Sequence, residues 1–459
     1  HIHNATMAKV GDKLYVIVPG QQSKRIPQAP PGMLFPGEGG FGRGLIRPDR
    51  NNFAPRLGMA WDLFGDGKTS LRAAWGLFYD ILTPSDQVRS SGNQPFINYV
   101  EINAPYSLSD PYRGMPDPFP YFYDPANPAN IKFTLPVPTA YVDPNLRNPY
   151  VQQYNVNIQR QITPTMVAQV GYVGKAARKL ITFRQINPGI YSAGATVANM
   201  NSRRPFLPGT YGAMTQVTSS GNSHYDSLQM TVNKRLSHGV SLTAAYTFSK
   251  AIDETSAWSS GSQTFQNPFN QRADRGLSEF NMRHVLSLSY VYELPLLRGR
   301  TDWAGKLLGG WRVSGITQLR SGAPFNMTSG RDNSLSGVGQ DRPDLVGNPY
   351  LSSDRSRGER IAQFFQPAAF QQNATGKFGN FGRNVMSGPG TALTDLALLK
   401  DFRLLKEKDY RVEFRSEFFN AFNRVNLSNP VGTFTASNVG TIRNSGDPRV
   451  VQFGLKLVF

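Results

Sequence analysis

The sequence predicts an all-β chain folded as a long antiparallel, up-and-down sheet. Three observations carry that prediction. Apolar and polar residues alternate over stretches of about 10 to 12 residues, the period-2 pattern of a strand with two unlike faces. Turn residues separate these stretches, and the connections alternate between short and long. The 44 glycines, 33 prolines and 12% aromatic content suit strands and turns better than long helices.

Taken in order, "KLYVIV" (13–18) is the expected first strand. "FAPRLGMAWDLFGDGKTSLRAAWGLFY" sets Phe53, Leu57, Met59 and Trp61 before a turn at Asp66-Gly67, then Leu71, Ala73, Trp75, Leu77 and Tyr79. "YVQQYNVNIQRQITPTMVAQVGYVG" places Tyr154, Val156, Ile158 and Ile162 on one parity and Gln153, Asn155, Asn157, Gln159 and Gln161 on the other, with a turn at 163–165. "DSLQMTVNKRLSHGVSLTAAYTFSKA" gives the clearest hairpin. Leu228, Met230, Val232 and Leu236 lead to a turn at 237–239, and Val240, Leu242, Ala244, Tyr246 and Phe248 follow it. "HVLSLSYVYELP" and "GWRVSGITQLRSG" form a fourth pair joined by 294–310, and "TDLALLKDFRLLKEKDYRVEFRSEFFNAFN" a fifth, turning at 406–409. The closing strand, from Pro448, carries Val451, Phe453, Leu455, Leu457 and Phe459 on one parity. The expected total is about twelve strands, within the range of up-and-down barrels.

The expected long connections are 19–52, 80–149, 176–224, 252–282, 322–393 and 423–447, which places every long loop at one end of the sheet and every short turn at the other. Soluble strands run about 5 to 6 residues, whereas about 10 residues at the usual tilt cross a hydrocarbon layer. So many long strands around an apolar interior would leave a lumen too wide for side chains to fill. With the apolar parity turned to lipid and the Ser, Thr, Gln, Asn and Arg parity to a wet lumen, the pattern is that of a transmembrane β-barrel with long extracellular loops and short periplasmic turns.

Composition removes other classes. The absence of cysteine excludes disulfide frameworks, thiolate catalysis and cysteine-bound zinc. The formal charge of +18 is spread over singly scattered Lys and Arg residues, so no nucleic-acid partner is expected. No apolar run reaches the roughly 18 residues of a membrane-spanning helix. "GEGGFG" (37–42) has dinucleotide-loop spacing but follows a Pro-rich stretch, with neither a strand before it nor a helix after it, so it reads as a surface loop. His1, His3, His224, His238 and His284 are too dispersed for a metal site, no cofactor is expected, and no triad or paired-carboxylate setting suggests an enzyme.

Three groups remain as candidates. Phe96, Tyr99, Tyr106, Tyr112, Tyr121 and Tyr123 crowd among prolines in the 80–149 loop, where rigid aromatics offer contact area to a ligand at low entropic cost or pack the loop on its neighbours. Arg411, Glu413, Arg415 and Glu417 share one parity, expected to face the lumen either as a solute or plug contact or as cross-strand pairs stabilising the wall. Trp61, Trp75, Tyr79, Tyr172, Tyr290, Tyr292 and Trp311 are expected as interfacial anchors.

The segments "NNFAPRLGMAWDLFGDGKTSLRAAWGLFYD", "NPYVQQYNVNIQRQI", "DRGLSEFNMRHVLSLSYVYELP", "GGWRVSGITQLRSGAPFN", "EFFNAFNRVNLSNP" and the terminal Phe459 resemble, in order and spacing, the barrel of TonB-dependent outer-membrane receptors of the Oar-like group. That resemblance implies a barrel of about 22 strands filled by a plug, of which residues 1–459 would be the C-terminal part of one barrel domain, without the plug and the N-terminal carboxypeptidase-regulatory-like module. It also implies a cell outer-membrane location, a monomer in outer-membrane lipid and capture of an unidentified solute by the loops. Gating would come through the absent plug by the TonB machinery. Val451, Phe453, Leu455, Leu457 and Phe459 would be the signal read by the barrel-insertion machinery. A structural or adhesive surface barrel and a secreted polysaccharide-binding module are the alternatives.

Overall fold

The computed structural model describes residues 14–42, 44–81, 93–97, 109, 126–256, 265–297, 300, 302–403 and 410–459. Eleven strands form one continuous antiparallel path: β1 (Arg56–Asp62), β2 (Thr69–Tyr79), β3 (Tyr150–Thr163), β4 (Met166–Gln185), β5 (Tyr211–Ser237), β6 (Val240–Asp253), β7 (His284–Glu293), β8 (Trp311–Arg320), β9 (Thr391–Arg403), β10 (Arg411–Phe419) and β11 (Val450–Val458). Each pairs with the next in sequence, so the sheet is up-and-down, and β1 and β11 form its two edges. Two short strands join it from the side, Gly276–Leu277 on β6 and Val137–Val142, parallel, on the upper part of β5.

The registers carry the predicted parity across the whole sheet, because residues directly opposite one another share a face. Trp61 meets Leu71, Leu71 meets Ile158, Ile158 meets Val170, and Val170 meets Met230. Met230 continues to Tyr246 and Leu286. At the far edge Val412, Phe414 and Phe418 sit opposite Leu457, Leu455 and Val451. The other face carries Asn157, Gln159, Gln169, Gln229, Thr231 and Thr243 in the same manner. All seven aromatic anchors lie on the apolar face: Trp61, Trp75, Tyr79, Tyr172, Tyr290, Tyr292 and Trp311 pair with Leu71, Leu57, Tyr150, Leu228, Leu242, Val240 and Lys400.

That apolar face is uncovered. Leu57 is 70% exposed, Phe453 72% and Leu455 75%. An apolar surface this continuous is unstable in water and satisfied by lipid. Lys400 interrupts it near the turns, where its stem runs along the apolar wall while Nζ donates to the Gly309 carbonyl and lies 5.6 Å from the Trp311 ring and 5.0 Å from that of Phe402.

The short connections gather at one end. Between β5 and β6, His238 and Gly239 both take the left-handed region (φ 50° and 74°), which matches the twist of a two-residue hairpin. Between β1 and β2, Asp62 Oδ2 accepts from Gly67 N at 2.8 Å and Asp66 Oδ1 from Lys68 N at 2.9 Å. The β7–β8 connection holds α1 (Trp303–Leu308), capped by Asp302, which accepts from Gly305 N at 3.0 Å. The turn expected at 406–409 lies outside the described residues.

Two expectations are corrected. "KLYVIV" is not a wall strand: among its described residues only Val16–Ile17 forms a strand, paired with Met33–Leu34, and Leu14, Tyr15 and Val16 are buried in succession. Its unbroken apolar run, Leu14 to Val18, suits a buried segment and lacks the alternation of a wall strand with two unlike faces. The loop expected at 176–224 is shorter, because β4 runs on to Gln185 and β5 starts at Tyr211. The ladder continues through a bulge at Arg178–Lys179, where Lys179 takes φ 56°, and beyond the apolar band both faces meet water or loops, so alternation fades while pairing does not.

Candidate functional site

Two of the apolar cores among the described residues organise the loop end. One joins Tyr15, Ile26, Met33 and Phe35 of the N-terminal segment to Ile131, Val137 and Tyr141 of the 80–149 connection and to Tyr211 and Met214 at the top of β5. The other joins Phe325, Met327, Phe365, Phe370, Phe381 and Met386, all from the β8–β9 connection. Such cores let long connections hold a shape, which a ligand-binding loop set requires.

Phe96 belongs to the first core, edge-on to Phe35 with ring centroids 5.9 Å apart. It packs the loop and does not face solvent. Tyr99, Tyr106, Tyr112, Tyr121 and Tyr123 lie outside the described residues. "GEGGFG" is held by its acid. Glu38 accepts from Lys24 N (2.6 Å), Arg25 N (2.8 Å), Phe35 N (2.8 Å) and Ser23 Oγ (2.8 Å), while Gly37, Gly39 and Gly40 take positive φ around it. Partial burial pushes the Glu38 carboxyl up, but the donors from Phe35, Arg25, Ser23 and Lys24 outweigh it and hold the group below its ordinary 4.5. Its contribution is therefore present above 4.5 and lost as pH falls through the depressed value. Glu38→Gln is expected to speed amide hydrogen exchange at Lys24, Arg25 and Phe35 at neutral pH, and wild type should show the same loosening only in acid. Equal protection in both proteins at neutral pH would remove Glu38 from this role.

The β6–β7 and β8–β9 connections are joined by buried ion pairs. Arg342 Nη1 meets Asp274, the two side chains being 4% and 3% exposed, and Arg383 Nη2 meets Asp253 at the end of β6. Further hydrogen bonds surround both pairs. Arg342 Nε donates to the Phe381 carbonyl at 2.7 Å, its backbone N to Gln266 Oε1 at 2.7 Å, and Gln266 N to Asp274 Oδ2 at 2.9 Å. Arg383 Nε donates to the Asp274 carbonyl at 2.7 Å. A second polar knot surrounds Asp341, which accepts from Ser334 N (2.6 Å), Ser334 Oγ (2.8 Å) and Asn373 Nδ2 (2.9 Å). Burial pushes its carboxyl up against those donors.

The charge ladder lies on the polar face and is wider than its own strand. Arg411 Nε is 3.1 Å from Glu413 Oε1, Arg415 Nη1 3.9 Å from Glu417 Oε1, and Lys456 Nζ on β11 3.9 Å from Glu413 Oε2. Gln452 donates to Glu417. Across β9, Asp401 sits opposite Glu413 and takes Arg312 of β8 at 2.8 Å. Sequence reading missed Arg312, Asp401, Gln452 and Lys456. Their parity was available, but only the register showed that they stand on one face in the rows of Glu413, Arg415 and Glu417. Val451, Phe453, Leu455 and Leu457 line the opposite face of β11, and Phe459, 90% exposed, follows them. Among the described residues no group of three metal-ligating side chains occurs; His224 pairs with Asp226 and His284 Nδ1 with the Tyr246 hydroxyl at 2.8 Å.

A family model for the outer membrane beta barrel domain matches residues 4–452. No curated protein matches the sequence. Among solved structures, the chain is similar to the outer membrane transporter YddB from Escherichia coli, with a TM-score of 0.46 and 11% identity over 88% of this chain and 40% of that one. It is also similar to the FrpB iron transporter from Neisseria meningitidis, with a TM-score of 0.43 and 10% identity over 88% and 39%. A third is the outer-membrane ferripyoverdine receptor of Pseudomonas aeruginosa, with a TM-score of 0.40 and 13% identity over 88% and 32%. The chain thus spans less than half the length of each.

Proposed function

This chain belongs to the outer membrane β-barrel domain family and resides in the outer membrane, and on that premise we propose that it serves solute uptake as the barrel of a TonB-dependent receptor of the Oar-like kind. The observation that carries this reading is the asymmetry of the sheet: all described long connections emerge at one end and fold into cored, cross-braced units. A merely structural barrel has no use for loops held so firmly. Recognition would be loop capture, with Tyr99, Tyr106, Tyr112, Tyr121 and Tyr123 as aromatic contacts. Passage would follow the polar face, where Arg312, Arg411, Glu413 and Arg415 offer charge of both signs. A plug moved by the TonB machinery would gate that passage, which is binding and release without covalent chemistry. The row Val451, Phe453, Leu455, Leu457 and Phe459 would serve the insertion machinery.

Single cysteines test the orientation. Gln340→Cys in the β8–β9 connection is expected to react with a membrane-impermeant maleimide on intact cells, and His238→Cys in the β5–β6 turn only after lysis. The reverse pattern would end the uptake reading.

A further inference from the structure

At the upper margin of the apolar face, successive cross-strand rows change character abruptly. The row Tyr172–Leu228–Phe248 is apolar, and the next toward the loops is Gly174–Asp226–Lys250. A cavity of about 1030 Å³ straddles this boundary, with Tyr172, Leu228 and Phe248 below and Lys250, Arg275 and Arg283 above. A second cavity, of about 720 Å³, shares Arg275 and adds Arg178 and Arg272.

The balance of charge is what singles out this place. The Asp226 carboxylate is occupied, accepting from the Tyr172 hydroxyl and standing 2.9 Å from His224 Nε2. Asp253, on the smaller cavity, is neutralised by buried Arg383. Glu254 accepts from Asn222 N at 3.0 Å and Gln271 Nε2 at 2.9 Å. Among the described residues no carboxylate comes within ion-pair distance of Lys250, Arg275 or Arg283; Arg283 instead lies over the Phe248 ring, 5.9 Å from its centroid. Three uncommitted cations therefore stand directly above lipid-facing aromatic and aliphatic side chains. Arginine in particular matches phosphate oxygens with paired donors.

We propose that this cavity is a binding site for an anionic lipid of the surrounding membrane, its phosphate held by Arg275, Arg283 and Lys250 and its acyl chain laid along Leu228, Phe248 and Tyr172. A soluble anion would satisfy the cations and leave the apolar half wet; a zwitterionic lipid would fill the apolar half but bring an ammonium along with its phosphate to three cations. Only an anionic amphiphile fits both. Occupancy would also tie the β6–β7 connection, which carries Arg275, to the membrane surface.

The test is lipid retention by the full chain purified in a neutral detergent and measured by native mass spectrometry. Phosphatidylglycerol is expected to be retained over phosphatidylcholine, and each arginine lost should cost about fivefold, so Arg275→Gln with Arg283→Gln should weaken retention about 25-fold. Lys456→Gln, on the polar face, should leave it unchanged. Equal retention of the two lipids overturns the proposal. So does an undiminished preference in the double variant, or retention of inorganic phosphate as strong as that of phosphatidylglycerol, which would mark a soluble-anion site. Should the double variant fail to fold, the wild-type lipid ratio and the phosphate arm decide. The cysteine-labelling result is independent of all three outcomes.

Discussion

Arg342→Ala is expected to release the β6–β7 and β8–β9 connections from one another at a local cost of about 3–5 kcal/mol, the usual penalty for stripping one partner from a buried ion pair. The substitution leaves the Asp274 carboxylate enclosed without its guanidinium and orphans the Phe381 and Ala273 carbonyls, both of which accept from the Arg342 side chain. Arg342→Lys keeps a charge but loses the fork that reaches Asp274, Ala273 and Phe381 together, so it should recover only part of the loss. The double change Asp274→Leu with Arg342→Met removes both charges and should fall much nearer wild type. Hydrogen exchange across 265–283 and 341–383 measures the effect, with amides of β5 and β6 as internal reference. If exchange in both loops is unchanged in Arg342→Ala, the ion pair is not what braces them.

The wall was legible in the sequence because two solvents wrote it. Leu228, Met230 and Val232 against Gln229, Thr231 and Asn233 record lipid on one side and water on the other, and the register returned that division. Where only one environment exists the code is silent. β4 and β5 run on past Lys175 and Tyr225 although their alternation weakens there, and "KLYVIV" is an unbroken apolar run that packs into loop cores instead of the wall. Nor could local pattern reveal the braces, since Arg342 and Asp274 are 68 residues apart and Arg383 and Asp253 130. Each reads alone as one more charged loop residue. The ladder at Arg411–Glu417 was visible because a single strand holds it, whereas Arg312 and Asp401 entered it only through pairing.

A charge placed on the lipid face gives the largest separation between neighbouring positions. Met230 lies midway between Lys234, near the turn, and Asp226, at the charged margin. The eight residue steps from one to the other rise about 26 Å along the strand, or about 20 Å across the bilayer at a tilt of about 40°. That is close to the apolar band of about 25 Å expected of outer-membrane barrels, and it puts Met230 near the midplane. Met230→Arg should therefore destabilise by about 2–4 kcal/mol. Thr231→Arg, one residue along and on the opposite face beside Gln169 and Ala245, should cost under about 1 kcal/mol, because a wet surface hydrates the guanidinium. Denaturant unfolding from phospholipid vesicles compares the two directly. Equal costs at 230 and 231 would mean that the faces have been assigned the wrong solvents, since hydrogen bonding, strand and depth are common to both positions and only the direction of the side chain differs.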